Sequence, residues 1–92
     1  MTVKDRIVAI LTEGLHPEAL AVIDESHQHA GHAGSRAGGE THFRVQVTAG
    51  AFAGASRVDR HRMVNALLAD ELRPDGIHAL AIEARAPGEA GR

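Results

Sequence analysis

The chain contains no cysteine, no tryptophan and no tyrosine among its 92 residues, and only two phenylalanines, Phe43 and Phe52. Without cysteine it has no disulfide framework and no metal site built from its own thiolates. Without an aromatic series it has no platform on which nucleic-acid bases stack. No apolar run approaches the roughly 20 residues that span a bilayer. Met1-Thr2-Val3-Lys4-Asp5 lacks the apolar core of a signal peptide, so the cytoplasm is the expected compartment. A net charge of −2 gives no global attraction to nucleic acid or to anionic lipid.

Histidine, by contrast, is abundant, with seven in the chain. His27, His29 and His32 fall in one glycine-rich stretch, His27-Gln28-His29-Ala30-Gly31-His32-Ala33-Gly34, and His78 opens an apolar stretch far downstream. Imidazoles in a loop, with one more on a regular element, look like half of a metal site.

The length fits one small domain, expected over residues 1–86, with residues 87–92 a Gly/Pro/charge-rich flexible tail. Val3, Ile7, Ile10 and Leu11 recur at helical spacing, and Thr2 with Asp5 forms a capping-box pattern ahead of them. Gly14 is the expected C-cap, with His16-Pro17 blocking continuation. Ala19 to Glu25 reads as a strand. Phe43, Val45 and Val47 alternate with His42, Arg44, Gln46 and Thr48, the period of two of a half-buried strand. Ala49 to Ala55 is a connector with one helical turn around Phe52. Ser56 and Asp59 then cap a second helix whose stripe is Val58, His61, Val64, Leu67, Leu68, Glu71 and Leu72. Pro74-Asp75-Gly76 marks a turn, and Ile77 to Ala84 a third strand.

This order predicts an α+β fold, a three-stranded mixed sheet covered by helices. The first two strands form an antiparallel hairpin with a long loop. The helix before the third strand is a crossover, which makes strands two and three parallel. Parallel strands start at the same end of a sheet. His78, at the start of strand three, therefore belongs beside Thr41-His42, where the loop over residues 27–39 returns to strand two.

Several segments, in order, resemble the BolA family: Val22-Ile23-Asp24-Glu25-Ser26-His27, Glu40-Thr41-His42-Phe43-Arg44-Val45, Phe52-x-Gly54, Arg60-His61-Arg62, Ala69-Asp70-Glu71-Leu72 and Ile77-His78-Ala79-Leu80. The resemblance runs from about Val3 to Ala86. It implies an αββααβ fold similar to class II KH domains. It implies partnership with a monothiol glutaredoxin and a shared [2Fe-2S] cluster, for which the glutaredoxin and glutathione each supply a thiolate. The BolA-like partner supplies the residue at the start of its last strand, here His78, and a Cys or His from the loop between its first two strands. In this chain that second ligand is His29 or His32. Such a mixed Cys/His cluster has a raised potential, and its imidazoles bind iron only when neutral. A chain without cysteine holds such a cluster only with a partner. The three loop imidazoles would also suit zinc or copper.

Other features have plainer readings. His61 shares a stripe with Val58, Val64 and Leu68 and reads as a structural histidine. Arg57, Arg60 and Arg62 form a small basic cluster, either a solvated face or a docking patch for DNA or an acidic partner. Three arginines make few phosphate contacts, hence weak and salt-sensitive binding. Gly31-His32-Ala33-Gly34 matches the G-x-x-G of KH domains, but there the loop joins two helices and here it precedes a strand. Asp24, Ser26 and His27 hold the residue types of a hydrolase triad without its geometry, because neighbours on a strand face opposite ways. The expected function is that of an iron–sulfur adaptor rather than an enzyme. The rival is a DNA-binding transcriptional regulator built on the same fold.

Overall fold

The computed structural model describes residues 2–26, 41–73 and 76–89. Its elements are α1 (Val3–Leu15), β1 (Ala19–Asp24), β2 (His42–Thr48), α2 (Arg57–Leu67) and β3 (Ala79–Arg85), with short 3₁₀ turns at Gly50–Phe52 and Ala69–Glu71. The strands form one sheet in the order β1-β2-β3. β1 runs antiparallel to β2, and β2 parallel to β3. The α+β arrangement expected from the hydrophobic pattern is the one observed.

The capping box of α1 forms as its residues dictate. The Thr2 hydroxyl accepts the Asp5 amide at 3.0 Å and the Asp5 carboxylate accepts the Thr2 amide at 3.3 Å. The far end differs from expectation. Gly14 lies inside the helix, and His16 is the C-cap, in the left-handed region at φ 47° and ψ 56°. Packing explains the glycine: a Cβ there would meet a Leu67 methyl at 2.9 Å, so its absence admits α2 close to α1.

Every second residue of β2 is buried, and Phe43, Val45 and Val47 face the core with Val22 of β1. α1 adds Ile7, Leu11 and Leu15, α2 adds Val64, and Leu68 follows directly after it. Phe52, on the 3₁₀ turn, is fully buried among them, so the short connector serves to drop an aromatic ring into a largely aliphatic core. Both helices lie on this side of the sheet.

The second helix is shorter than its pattern suggests. It stops at Leu67 and tightens into the 3₁₀ turn, closed by the Glu71 amide on the Leu68 carbonyl at 2.8 Å. Val58 is 58% exposed, outside the buried stripe. It sits six residues from Val64, about 1.7 turns, so the two cannot share a face. The third strand begins at Ala79 rather than Ile77. The amides of Ile77 and His78 are taken by the Glu71 carbonyl and the Thr41 carbonyl, at 2.8 and 2.7 Å, and this sets the strand's entry.

Candidate functional site

The entry to β3 is where the chemistry collects. His42 opens β2 and pairs in register with Ala79, which places His78 one residue before that pair. The two imidazoles stand edge to face, with centroids 6.3 Å apart and planes at 76°. His78 is exposed and His42 half-buried.

Thr41, fully buried, ties this corner together. Its carbonyl accepts the amides of His78 at 2.7 Å and Ala79 at 3.2 Å. Its own amide donates to Ser26 Oγ at 2.8 Å, and its hydroxyl lies 2.8 Å from His42 Nδ1. Ser26 Oγ also accepts the His42 amide at 3.2 Å, and the Glu25 amide donates to the His42 carbonyl at 2.7 Å. Residues 26 and 41, which flank the histidine-rich segment, are thus hydrogen-bonded to each other, and Thr41 in turn to His78. The expected convergence of the loop's ends with His78 is present. His27, His29 and His32, with the G-x-x-G match, lie outside the described residues. His42, which strand order already sets beside His78, is a member of this corner that the sequence reading did not name as a candidate ligand. Its signal was the combination of even-numbered strand parity and parallel pairing to the residue after His78.

Among the described residues, no group of three or more His, Cys, Asp or Glu is placed to hold a metal ion. Among the described residues, the corner supplies the imidazoles of His42 and His78, which could form part of a coordination sphere. The serine here is not a nucleophile in waiting. Ser26 is 5% exposed, its oxygen is bonded to two amides, and Asp24 Oδ1 accepts its amide at 2.8 Å.

The sheet face opposite the helices carries Arg44 between two carboxylates, Glu25 at 2.8 Å and Glu83 at 3.0 Å. Hydrogen bonds from Arg44 hold the Glu83 carboxyl below its ordinary value, and those two partners raise Arg44. The charges on this face are largely matched.

The arginines of α2 differ in their engagements. Arg57 is exposed, and Arg62 is exposed with a loose contact to Asp59 at 3.6 Å. Arg60 turns inward. It donates to the carbonyls of Ala55 at 3.0 Å and Ala84 at 3.1 Å and grips Glu89. Glu89 is held at about 2, well below the ordinary 4.5, by Arg60 first and then by the Ala86 amide. The segment expected as a tail is therefore, as far as Glu89, folded back on the domain. A cleft of about 350 Å³ lies here, lined by Arg57, Arg60, His61 and Glu89 among others. It adjoins Ala84 and Arg85, the end of β3 remote from His78, a strand length of roughly 20 Å away.

Residues 11–89 match the family model described as BolA-like protein. The chain belongs to the BolA family. An uncharacterized protein encoded in the cobS 5′ region of a Sinorhizobium species is 53% identical over 93 residues, 100% of this chain and 99% of that one. The chloroplastic BOLA1 protein of Arabidopsis thaliana is 45% identical over 82 residues, covering 87% of this chain and 51% of that protein. The chain thus spans nearly all of the bacterial relative and about half the length of the plant one. Among solved structures, the BolA domain of SufE1 from Arabidopsis thaliana superposes with a TM-score of 0.83 at 46% identity, covering 95% of this chain and 94% of that one. In this BolA-family chain no described helix is long and apolar enough to cross a membrane.

Proposed function

We propose that this BolA-family chain is an iron–sulfur adaptor that binds a monothiol glutaredoxin and shares a [2Fe-2S] cluster with it, in cluster trafficking or iron and redox signalling. His78 is one ligand from this chain, and His29 or His32 the other. The observation that carries the reading is the bond from the His78 amide to the Thr41 carbonyl, which places an exposed imidazole against the residue that ends the histidine-rich segment. His29 follows Ser26 by three residues, a span of at most about 11 Å of chain.

The cluster is cargo, and bound at this corner it would supply one-electron redox chemistry. The protein's part is to hold His78 on a rigid strand entry, to offer a second imidazole, and to leave the thiolate positions to the partner. Thiolate ligands stay available in a reducing compartment, so the cytoplasm belongs to the same proposal. The reading is of a binding protein rather than an enzyme.

The test is to mix the full chain with a cluster-loaded monothiol glutaredoxin and record visible absorption and circular dichroism. The wild type should convert the glutaredoxin spectrum to that of a mixed Cys/His complex, and His78→Ala should not. The same measurement on His29→Ala and His32→Ala assigns the second ligand. A wild-type spectrum from His78→Ala overturns the reading.

A further inference from the structure

Glu89 occupies a receptor assembled by other parts of the chain. The Arg60 guanidinium donates through Nε to the Ala55 carbonyl at 3.0 Å and through one terminal nitrogen to the Ala84 carbonyl at 3.1 Å. Those bonds orient its fork, and its two terminal nitrogens meet the Glu89 carboxylate at 2.6 and 2.7 Å. The Ala86 amide donates to the same carboxylate at 2.9 Å, and the Ala86 carbonyl accepts the Glu89 amide at 3.1 Å. The site therefore reads one acidic residue twice, by its carboxylate and by its main-chain N–H. A phosphate or a free carboxylate offers only the anionic half of that pattern.

Occupant and receptor are held unequally. The Arg60 side chain is 13% exposed and that of Glu89 42%. Glu89 arrives by the turn Ala86-Pro87-Gly88-Glu89, with Gly88 at φ 85° in the manner of a type II turn. Pro87, Gly88 and Glu89 are all exposed, so this strap anchors no buried apolar side chain and opens locally, without the core. It also lies on an edge strand, β3. The Arg85 carbonyl accepts the Ala49 amide on the β2 side, so by strand alternation Ala84 and Ala86 turn their main-chain groups to the outer edge. Such edge groups are where an added chain pairs. The adjoining cleft of about 350 Å³ carries Arg57, Arg60 and Arg85 in its lining against Glu83 and Glu89. With Glu89 withdrawn, three arginines face one carboxylate, and that one is shared with Arg44.

We propose that this end of the domain is a docking site for an acidic protein segment, one glutamate of which replaces Glu89 on Arg60 and Ala86. Glu89 is then a tethered competitor that keeps the receptor shut to weak ligands. A tether this short presents its carboxylate at an effective concentration on the order of millimolar, so an incoming segment needs contacts beyond that one residue. The arginines of the cleft supply them to its further carboxylates. The site is a strand's length from His78 and does not depend on the function proposed above.

The test uses the full chain and a fluorescein-labelled, amidated peptide, Gly-Glu-Val-Glu-Val-Glu, followed by anisotropy, with the peptide carrying Gln for every Glu as control. Glu89→Ala, which removes the competitor, should bind the acidic peptide at least about tenfold more tightly than the wild type. Neither chain should bind the Gln peptide. Adding Arg60→Lys to Glu89→Ala keeps the charge, loses the fork and should cancel the gain. Amide NMR needs no variant: excess peptide on the ¹⁵N-labelled wild type should shift the signals of Ala86, Glu89 and the Arg60 Nε–H and leave Thr41 and His78 in place. Equal binding by wild type and Glu89→Ala, no binding by either, or shifts confined to the His78 corner each overturn the proposal. So does a Glu89→Ala chain that takes a duplex DNA fragment and refuses the peptide, because the cleft would then be a phosphate site.

Discussion

Arg60 holds Glu89 through paired hydrogen bonds of 2.6 and 2.7 Å, fastening the residues after β3 to the first turns of α2. The same guanidinium is braced by the Ala55 and Ala84 carbonyls, so the fork is oriented before the carboxylate meets it. The contact closes the end of the domain opposite the histidine corner.

Acid should open this contact. Glu89 titrates at about 2 in the folded chain against an ordinary 4.5. A folded value below the unfolded one means that the stabilisation is complete above about 4.5 and is lost as pH falls toward 2. Thermal denaturation of wild type and Glu89→Gln across a pH series should show a constant gap in Tm near neutrality that narrows progressively below 4.5. A gap independent of pH would contradict the ion-pair account.

Ser26→Ala should cost roughly 1–3 kcal/mol, because it strips the acceptor from the amides of Thr41 and His42. Urea titration would show a lower midpoint with an unchanged slope. Hydrogen exchange should speed at the Thr41 amide, and the effect should be localised to this corner.

Gly76→Ala should be destabilising by about 1–3 kcal/mol. An added Cβ would run into the Glu71 carbonyl oxygen, a backbone atom that cannot step aside. That oxygen also accepts the Ile77 amide, so the entry of β3 should shift with it. Calorimetry reads the stability, and amide chemical shifts at His78 read the displacement.

His78→Ala should separate stability from function. The side chain is exposed, so its truncation should change folding free energy by less than about 0.5 kcal/mol. Cluster sharing with a glutaredoxin should nonetheless be lost. A variant that is inactive because it is unfolded would show a collapsed Tm and count against this assignment.

Local patterns in the chain determined a good deal. The Thr2/Asp5 capping box, the alternation through β2 and the turn that drops Phe52 inward each follow from residues near one another, because capping and strand parity are short-range effects. The antiparallel and parallel pairings also follow, because connection length restricts the topologies available. From these alone His78 falls beside the end of the histidine-rich segment.

Tertiary packing decided the rest. Gly14 reads as a helix end, yet the close approach of Leu67 keeps it inside α1. Val58 belongs to an apolar pattern, yet the helix turns it outward. Arg60 reads as one of three like charges until Glu89 folds back onto it. His42 falls beside His78 by strand order, yet only packing stands the two rings edge to face and brings the Thr41 hydroxyl to its Nδ1. Periodicity fixes which way a side chain faces. Which atom of a distant residue it meets depends on how whole elements pack, and no local pattern carries that.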